Sequence, residues 1–306
     1  MAASPNLRAA LFMVLAMAAF TCNDAITKSL TSQMNAGQIM FVRGIFATLF
    51  VGLLAWQQGA LANLTRALNP LVLLRAVFEL GATGFFLVAL GHMPLANISA
   101  VLQSLPLAVT MGAALVLGEA VGWRRWMAIT VGLAGVLIVV RPGFEGFNSY
   151  SVLALLSVVF CAARDLVTRR IPPDIHALLV STVTAAFVTV VGSFAIGPLG
   201  GWMPLSATST GALAAAAMLL IPGMIFLILA MRIGDVAFAA PFRYTALLWA
   251  IALGILAFDE WPDRYMLLGA GIVIASGLYS LYRETILGRR KPITETTAPA
   301  MAPDGT

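Results

Sequence analysis

The chain has 306 residues, 60% of them hydrophobic and only 10% charged, where a typical soluble domain carries roughly 25% charge. With a mean hydropathy of +0.95, such a surface cannot be kept in water, and its solvent is lipid. The net charge of +5 and pI near 9.7 arise from residues between and after apolar runs. They therefore speak for membrane orientation and against a nucleic-acid partner.

A helix crosses the hydrocarbon core with about 20 predominantly apolar residues. Taken in chain order, the predicted spans are 9–28, 38–56, 71–90, 95–117 and 123–140. After the polar break R-P-G-F-E-G-F-N-S at 141–149 come 150–168, 177–197, 210–231, 236–257 and 265–282. The first run carries Asn23 and Asp24 and exceeds signal-peptide length, so it reads as a membrane helix. The tail 284–306 is basic, then rich in Thr, Pro and Ala, and is expected to be disordered and cytoplasmic.

Loop lysines and arginines set the orientation. Eleven lie on the side of the N-terminus, among them Arg66, Arg124, Arg125, Arg169 and Arg170, against Lys28, Arg141 and Arg264 on the other. Both termini are therefore expected in the cytoplasm, which requires an even number of spans.

A constant offset of 141 residues relates the two halves of the chain. N-D-A-I-T-K at 23–28 lies over R-D-L-V-T-R at 164–169, and F-F-L-V-A-L-G at 85–91 over F-L-I-L-A-M-R at 226–232. Glu119 lies over Glu260. Five spans per half is an odd number, so the second half enters the bilayer from the opposite side. The expected fold is all-α, with ten transmembrane helices in two inverted repeats, 8–141 and 149–283. Inverted repeats of this kind recur where alternating access needs two related states, which makes transport the leading class.

The residues resemble the drug/metabolite transporter superfamily, in particular its EamA type. The resemblance is carried by N-D-x-x-x-K closing the first span, A-L-G-H-M-P-L-A-N-I-S-A-V at 89–101, G-E at 118–119 and R-P at 141–142. In the second half it rests on G-D-V-A-F-A-A-P-F-R-Y at 234–244 and F-D-E-W-P-D at 258–263. It covers roughly 8–283. The last two segments are most similar to a proteobacterial branch of riboflavin importers and S-adenosylmethionine carriers. The resemblance implies an inner-membrane carrier that hydrolyses no ATP.

Charged side chains within a span usually face a cavity or a partner. Here they are Asp24, Arg43, Arg75, Glu79, Arg164, Asp165 and Arg243. Arg75 and Glu79, four apart, share a helix face and can pair with each other, either as a pathway lining or as an internal packing pair. Asp24 and Asp165 are each followed four residues later by a base, Lys28 or Arg169, which suits a helix-end anchor. The alternative for Asp24, beside Asn23, is proton coupling or gating. Arg164 can join a charge cluster at the cytoplasmic end, and Arg43 is either a snorkelling anchor or a site residue. Arg243 follows Pro241, where a broken first turn would free carbonyls toward a cavity, and it is expected to face the pathway. Tyr244, its repeat equivalent Gln103, Pro106, Trp249 and Phe85 complete the candidate pathway.

His92 and His176 have no partners at ligand spacing, and Cys22 and Cys161 lie alone in apolar runs, so no metal and no cofactor are expected. The expected partners are the lipid bilayer and a small organic metabolite. Riboflavin is preferred mainly as what the resemblance implies, and arginines and aromatic faces suit such a neutral, flat, polar molecule. S-adenosylmethionine or an amino-acid metabolite, in either direction, stays open, as does a homodimer. A membrane-embedded enzyme or other non-transport protein is the distant alternative.

Overall fold

The computed structural model describes residues 5–61, 64–119, 121–141, 149–172, 174–233 and 236–283. Its elements are α1 (Pro5–Leu30), α2 (Ala36–Gln57), α3 (Pro70–Leu90), α4 (Leu95–Leu102), α5 (Leu105–Leu117) and α6 (Trp123–Val140). They continue with α7 (Tyr150–Thr168), α8 (Ala177–Ala195), α9 (Ala207–Ile233), α10 (Val236–Ala239), α11 (Thr245–Phe258) and α12 (Arg264–Tyr282). Among the described residues ten helices are long and apolar enough to cross a membrane, with α4 and α5 together forming one of them. The predicted spans agree with these to within a few residues. The polar break at 142–148 and the tail 284–306 lie outside the described residues.

Four helices, α2, α3, α8 and α12, begin where a polar side chain takes an orphan N–H. Asn35 accepts from the Gln38 N–H at 2.9 Å, Asn69 from Leu71 at 2.9 Å and Asp263 from Met266 at 2.8 Å. His176 does the same for Leu178 at 3.2 Å, so it serves as a helix cap. Large apolar side chains such as Leu49, Leu115, Val159, Phe194 and Leu256 stand exposed on the outer faces, as a lipid-facing surface requires.

Packing pairs α1 with α9, α3 with α7, α2 with α8, and α6 with α12. Adding or subtracting 141 carries the first pair onto the second and returns each of the last two onto itself. In the α2–α8 contact Thr48 Oγ1 meets Thr189 Oγ1 at 3.3 Å, a residue and its own equivalent 141 positions on.

The helix ends repeat too. Gly118 closes α5 at φ 69° and Asp259, its equivalent, closes α11 at φ 53°. The next amide then folds back, Glu119 N–H to Ala113 O at 3.1 Å and Glu260 N–H to Gly254 O at 2.9 Å. The left-handed turn suits glycine and is tolerated by aspartate.

The fourth and ninth spans are broken at equivalent depths. α4 ends at Leu102 and α5 begins at Leu105, while the 3₁₀ turn Ala240–Tyr244 precedes α11. The sequence predicts the second break from Pro241. The first is a finding of the structure, with Pro106 near the start of the restarted helix.

A β-branched side chain at Gly118 would be forced into the left-handed region, at a cost of about 1–2 kcal/mol. Gly118→Val should therefore lower the melting temperature of the purified protein. Gly122→Ala, at φ −66° with no atom near its added Cβ, should leave it within error.

Candidate functional site

A cavity of about 370 Å³ opens between α5, α6, α7, α12 and the 3₁₀ turn. Pro106 and Arg243, one from each broken span, line its deep part, and Glu119, Arg125, Asp165 and Arg169 bring charge to it. Three guanidinium groups and two carboxylates thus line one cavity. A smaller cavity of about 90 Å³ lies against the other end of α4, bounded by Asp24, Gln103, Phe20 and Phe86.

Gln103 and Tyr244 meet the two breaks as equivalents 141 residues apart. Tyr244 is 7% exposed. Its hydroxyl and the Gln103 Nε2 are both buried without a hydrogen-bond partner among the described residues. Such groups carry a desolvation cost unless something supplies the missing bond. Gly277 makes room for the tyrosine, since a Cβ there would stand 1.8 Å from its hydroxyl oxygen. The depth of these two residues is legible in the sequence, but the space that Gly277 leaves is not.

The polar residues of the spans bind across helices. Glu79 Oε2 takes Arg164 Nη1 at 3.0 Å, and Arg164 also reaches Asp165 at 2.8 Å. Arg75 donates instead to Thr168 Oγ1 at 3.0 Å and Thr184 Oγ1 at 2.6 Å. The expected Arg75–Glu79 pair within one helix is therefore replaced. The tight α3–α7 contact places Arg164 against Glu79, and Arg75 is satisfied by hydroxyls of α7 and α8. The charge cluster around Arg164 and Asp165 forms as expected.

Asp24 and Lys28 are likewise not partners. Asn23 donates to Asp24 at 2.9 Å and accepts from Arg43 Nη1 at 3.4 Å, which makes Arg43 part of a polar group on α1 and α2. Lys28 turns to Glu260 at 2.8 Å. Phe85 meets Phe160 edge-on at a centroid distance of 5.3 Å, between α3 and α7, and its neighbour Phe86 faces the smaller cavity. Arg75, Glu79, Phe85 and Trp249 line neither cavity. Arg125, Arg169 and Glu119 do line the larger one, although the sequence reads the two arginines as loop charges that set orientation and Glu119 as a loop acid of the repeat. The signal that would have found them is the pairing of Glu119 with Glu260 across the repeat.

Cys22 and Cys161 are free and half-buried. No cluster of three His, Cys, Asp or Glu side chains that could hold a metal occurs among the described residues.

Residues 7–141 match the model of the EamA-like transporter family. With ten membrane-length helices among its described residues, the chain is a multi-pass membrane protein whose first half is similar to EamA-like transporters. The riboflavin transporter of Rhizobium johnstonii is 29% identical over 92% of this chain and 93% of its own length. The pseudopaline exporter of Pseudomonas aeruginosa is 27% identical over 87% and 93%. The S-adenosylmethionine uptake transporter of Rickettsia felis is 25% identical over 92% and 94%. A solved protein crystal structure superposes with a TM-score of 0.60 at 17% identity, covering 92% of this chain and 98% of that one. That likeness concerns the fold alone.

Arg243→Ala should reduce transport by about tenfold to a hundredfold, the loss expected for one charged hydrogen bond, at unchanged expression. Uptake by proteoliposomes containing equal amounts of protein measures it. Arg243→Lys should recover only part of the rate, because it restores the charge without the fork.

Proposed function

We propose that this protein is a secondary carrier that moves a small, polar organic metabolite across the bacterial inner membrane by alternating access. The single observation that carries this reading is the cavity that joins the two helix breaks to one end of the bundle. Broken spans bring backbone carbonyls and helix ends to a substrate at mid-membrane, where unbroken helices offer none. In this reading 8–141 and 149–283 are inverted repeats, and the excess of basic loops places both termini in the cytoplasm. The end bearing Arg169 is then the cytoplasmic one.

Riboflavin uptake is the preferred specific function. In its favour are the Rhizobium relative, Arg243 at the deep end of the larger cavity, and Phe20 and Phe86 beside Gln103 in the smaller one as faces for a flat ring. One observation favours a second reading. Arg125, Arg169 and Arg243 share their cavity with Glu119 and Asp165, and mixed charge suits a zwitterion that carries both carboxylate and ammonium groups. S-adenosylmethionine and other amino-acid metabolites belong to that class.

Expression in a bacterium that can neither make nor import riboflavin separates the two. Growth on low riboflavin, with uptake of labelled flavin, is the expected result. Absence of growth despite confirmed membrane expression would remove the flavin. Uptake of labelled S-adenosylmethionine or a zwitterionic amino acid by the same cells would then favour the second reading.

A further inference from the structure

Lys28 and Glu260 are the repeat equivalents of Arg169 and Glu119, since 28 + 141 = 169 and 119 + 141 = 260. Each base lies at the end of the first helix of its half, and each acid follows the left-handed cap of the broken span in the opposite half. The fold brings them together crosswise, Lys28 to Glu260 and Arg169 to Glu119. Two copies of one ion pair thus stand at opposite ends of the molecule.

They are in different states. Lys28–Glu260 is closed at 2.8 Å, with side chains 10% and 22% exposed. Its Nζ also binds Met93 O and, at 3.4 Å, Leu90 O, and lies over the Phe258 ring at 5.4 Å. Glu260 Oε2 accepts the Leu95 N–H at 2.7 Å, so the pair ties the start of α4 to α1 and to the end of α11. Arg169–Glu119 is loose at 3.7 Å, with side chains 52% and 53% exposed, and both residues line the open cavity.

The packing around the pairs differs in the same sense. Pro106, Arg125, Gly277 and Ser280 line the cavity. Their equivalents at the Lys28 end are Leu247, Met266, Val136 and Val139, which are 4%, 0%, 2% and 5% exposed within one apolar core. One end is sealed by an ion pair over packed hydrocarbon, while the other stands open with its pair relaxed.

We propose that Lys28–Glu260 and Arg169–Glu119 are reciprocal gates, the first closing the end now sealed and the second closing the cavity end in the opposite state. This rests on the alternating-access reading but on no particular substrate. The two ends are unlike in chemistry. The Lys28 end shuts on an apolar core, whereas the Arg169 end has arginine, glycine and serine at the matching places. Closure there depends more heavily on the ion pair, so the Glu119 charge should matter most to turnover and the Lys28 charge most to which end is open.

The test places single cysteines at Thr110, which lines the larger cavity, and at Ser99, which lines the smaller one behind the closed pair. The background is Cys22→Ala/Cys161→Ala, and the probe is a membrane-impermeant maleimide applied to right-side-out and to inverted vesicles. Lys28→Met should raise labelling at Ser99→Cys about tenfold from the Lys28 side and lower it at Thr110→Cys, as losing one partner of a part-buried ion pair would. Lys28→Arg should leave both rates near those of the background. Glu119→Gln should keep Thr110→Cys open and slow uptake, and the charge swap Glu119→Arg/Arg169→Glu should recover it.

Unchanged labelling in Lys28→Met, or a Lys28→Arg variant as disturbed as Lys28→Met, would overturn the proposal, with monodispersity in detergent checking that each variant folds. Labelling confined to one end in every variant would instead count against alternating access itself. Labelling needs no knowledge of the substrate, so a failed riboflavin assay leaves this result standing.

Discussion

In hydrocarbon every backbone N–H and C=O must be bonded within the protein, and this requirement shapes the molecule more than any side chain does. It leaves helix as the conformation of each span and makes any interruption costly. Two interruptions are nonetheless present, at Gln103–Ser104 and at Ala240–Tyr244, in matching places. The chain crosses them by tightening to shorter bonds, Ser104 N–H to Val101 O at 3.1 Å in the first and Thr245 N–H to Phe242 O in the second. The donors stay satisfied, and the polarity released falls beside the cavity.

The same low dielectric governs the charges. A carboxylate or guanidinium at depth needs a partner, and several partners here come from other elements, while Asp165 and Asp24 also hold an immediate neighbour on their own helix. Glu79 with Arg164, and Lys28 with Glu260, join elements distant in sequence. Such pairs lock two helices together as well as neutralising a charge. Whether they stay paired depends on how those helices sit, which suits them to a molecule that changes shape.

Near-symmetry in sequence with asymmetry in structure is the other organising feature. Thr48 against Thr189, and the equivalent caps at Gly118 and Asp259, hold the two halves to a common plan. Against that plan one end is filled by Val136, Val139, Leu247 and Met266, and the other is lined by Gly277, Ser280, Pro106 and Arg125. The side chains, rather than the common plan, make the two ends of the molecule unlike.

The sequence by itself determined the ten spans, the offset between the halves and the positions of the polar residues within them. These depend on local hydropathy and spacing, which lipid makes stringent. Pro241 announced one broken span, and the depth of Gln103 and Tyr244 followed from the repeat. Only the tertiary structure decided which charge meets which. Arg75 and Glu79 lie one turn apart and invite pairing, but helix packing offers Arg164 to one and two threonines to the other. Glu119 and Arg169 read as loop charges until the fold set them at the mouth of a cavity. Partner choice at membrane depth is a contest between neighbours on the same helix and neighbours across an interface, and spacing along the chain contains only the first of these.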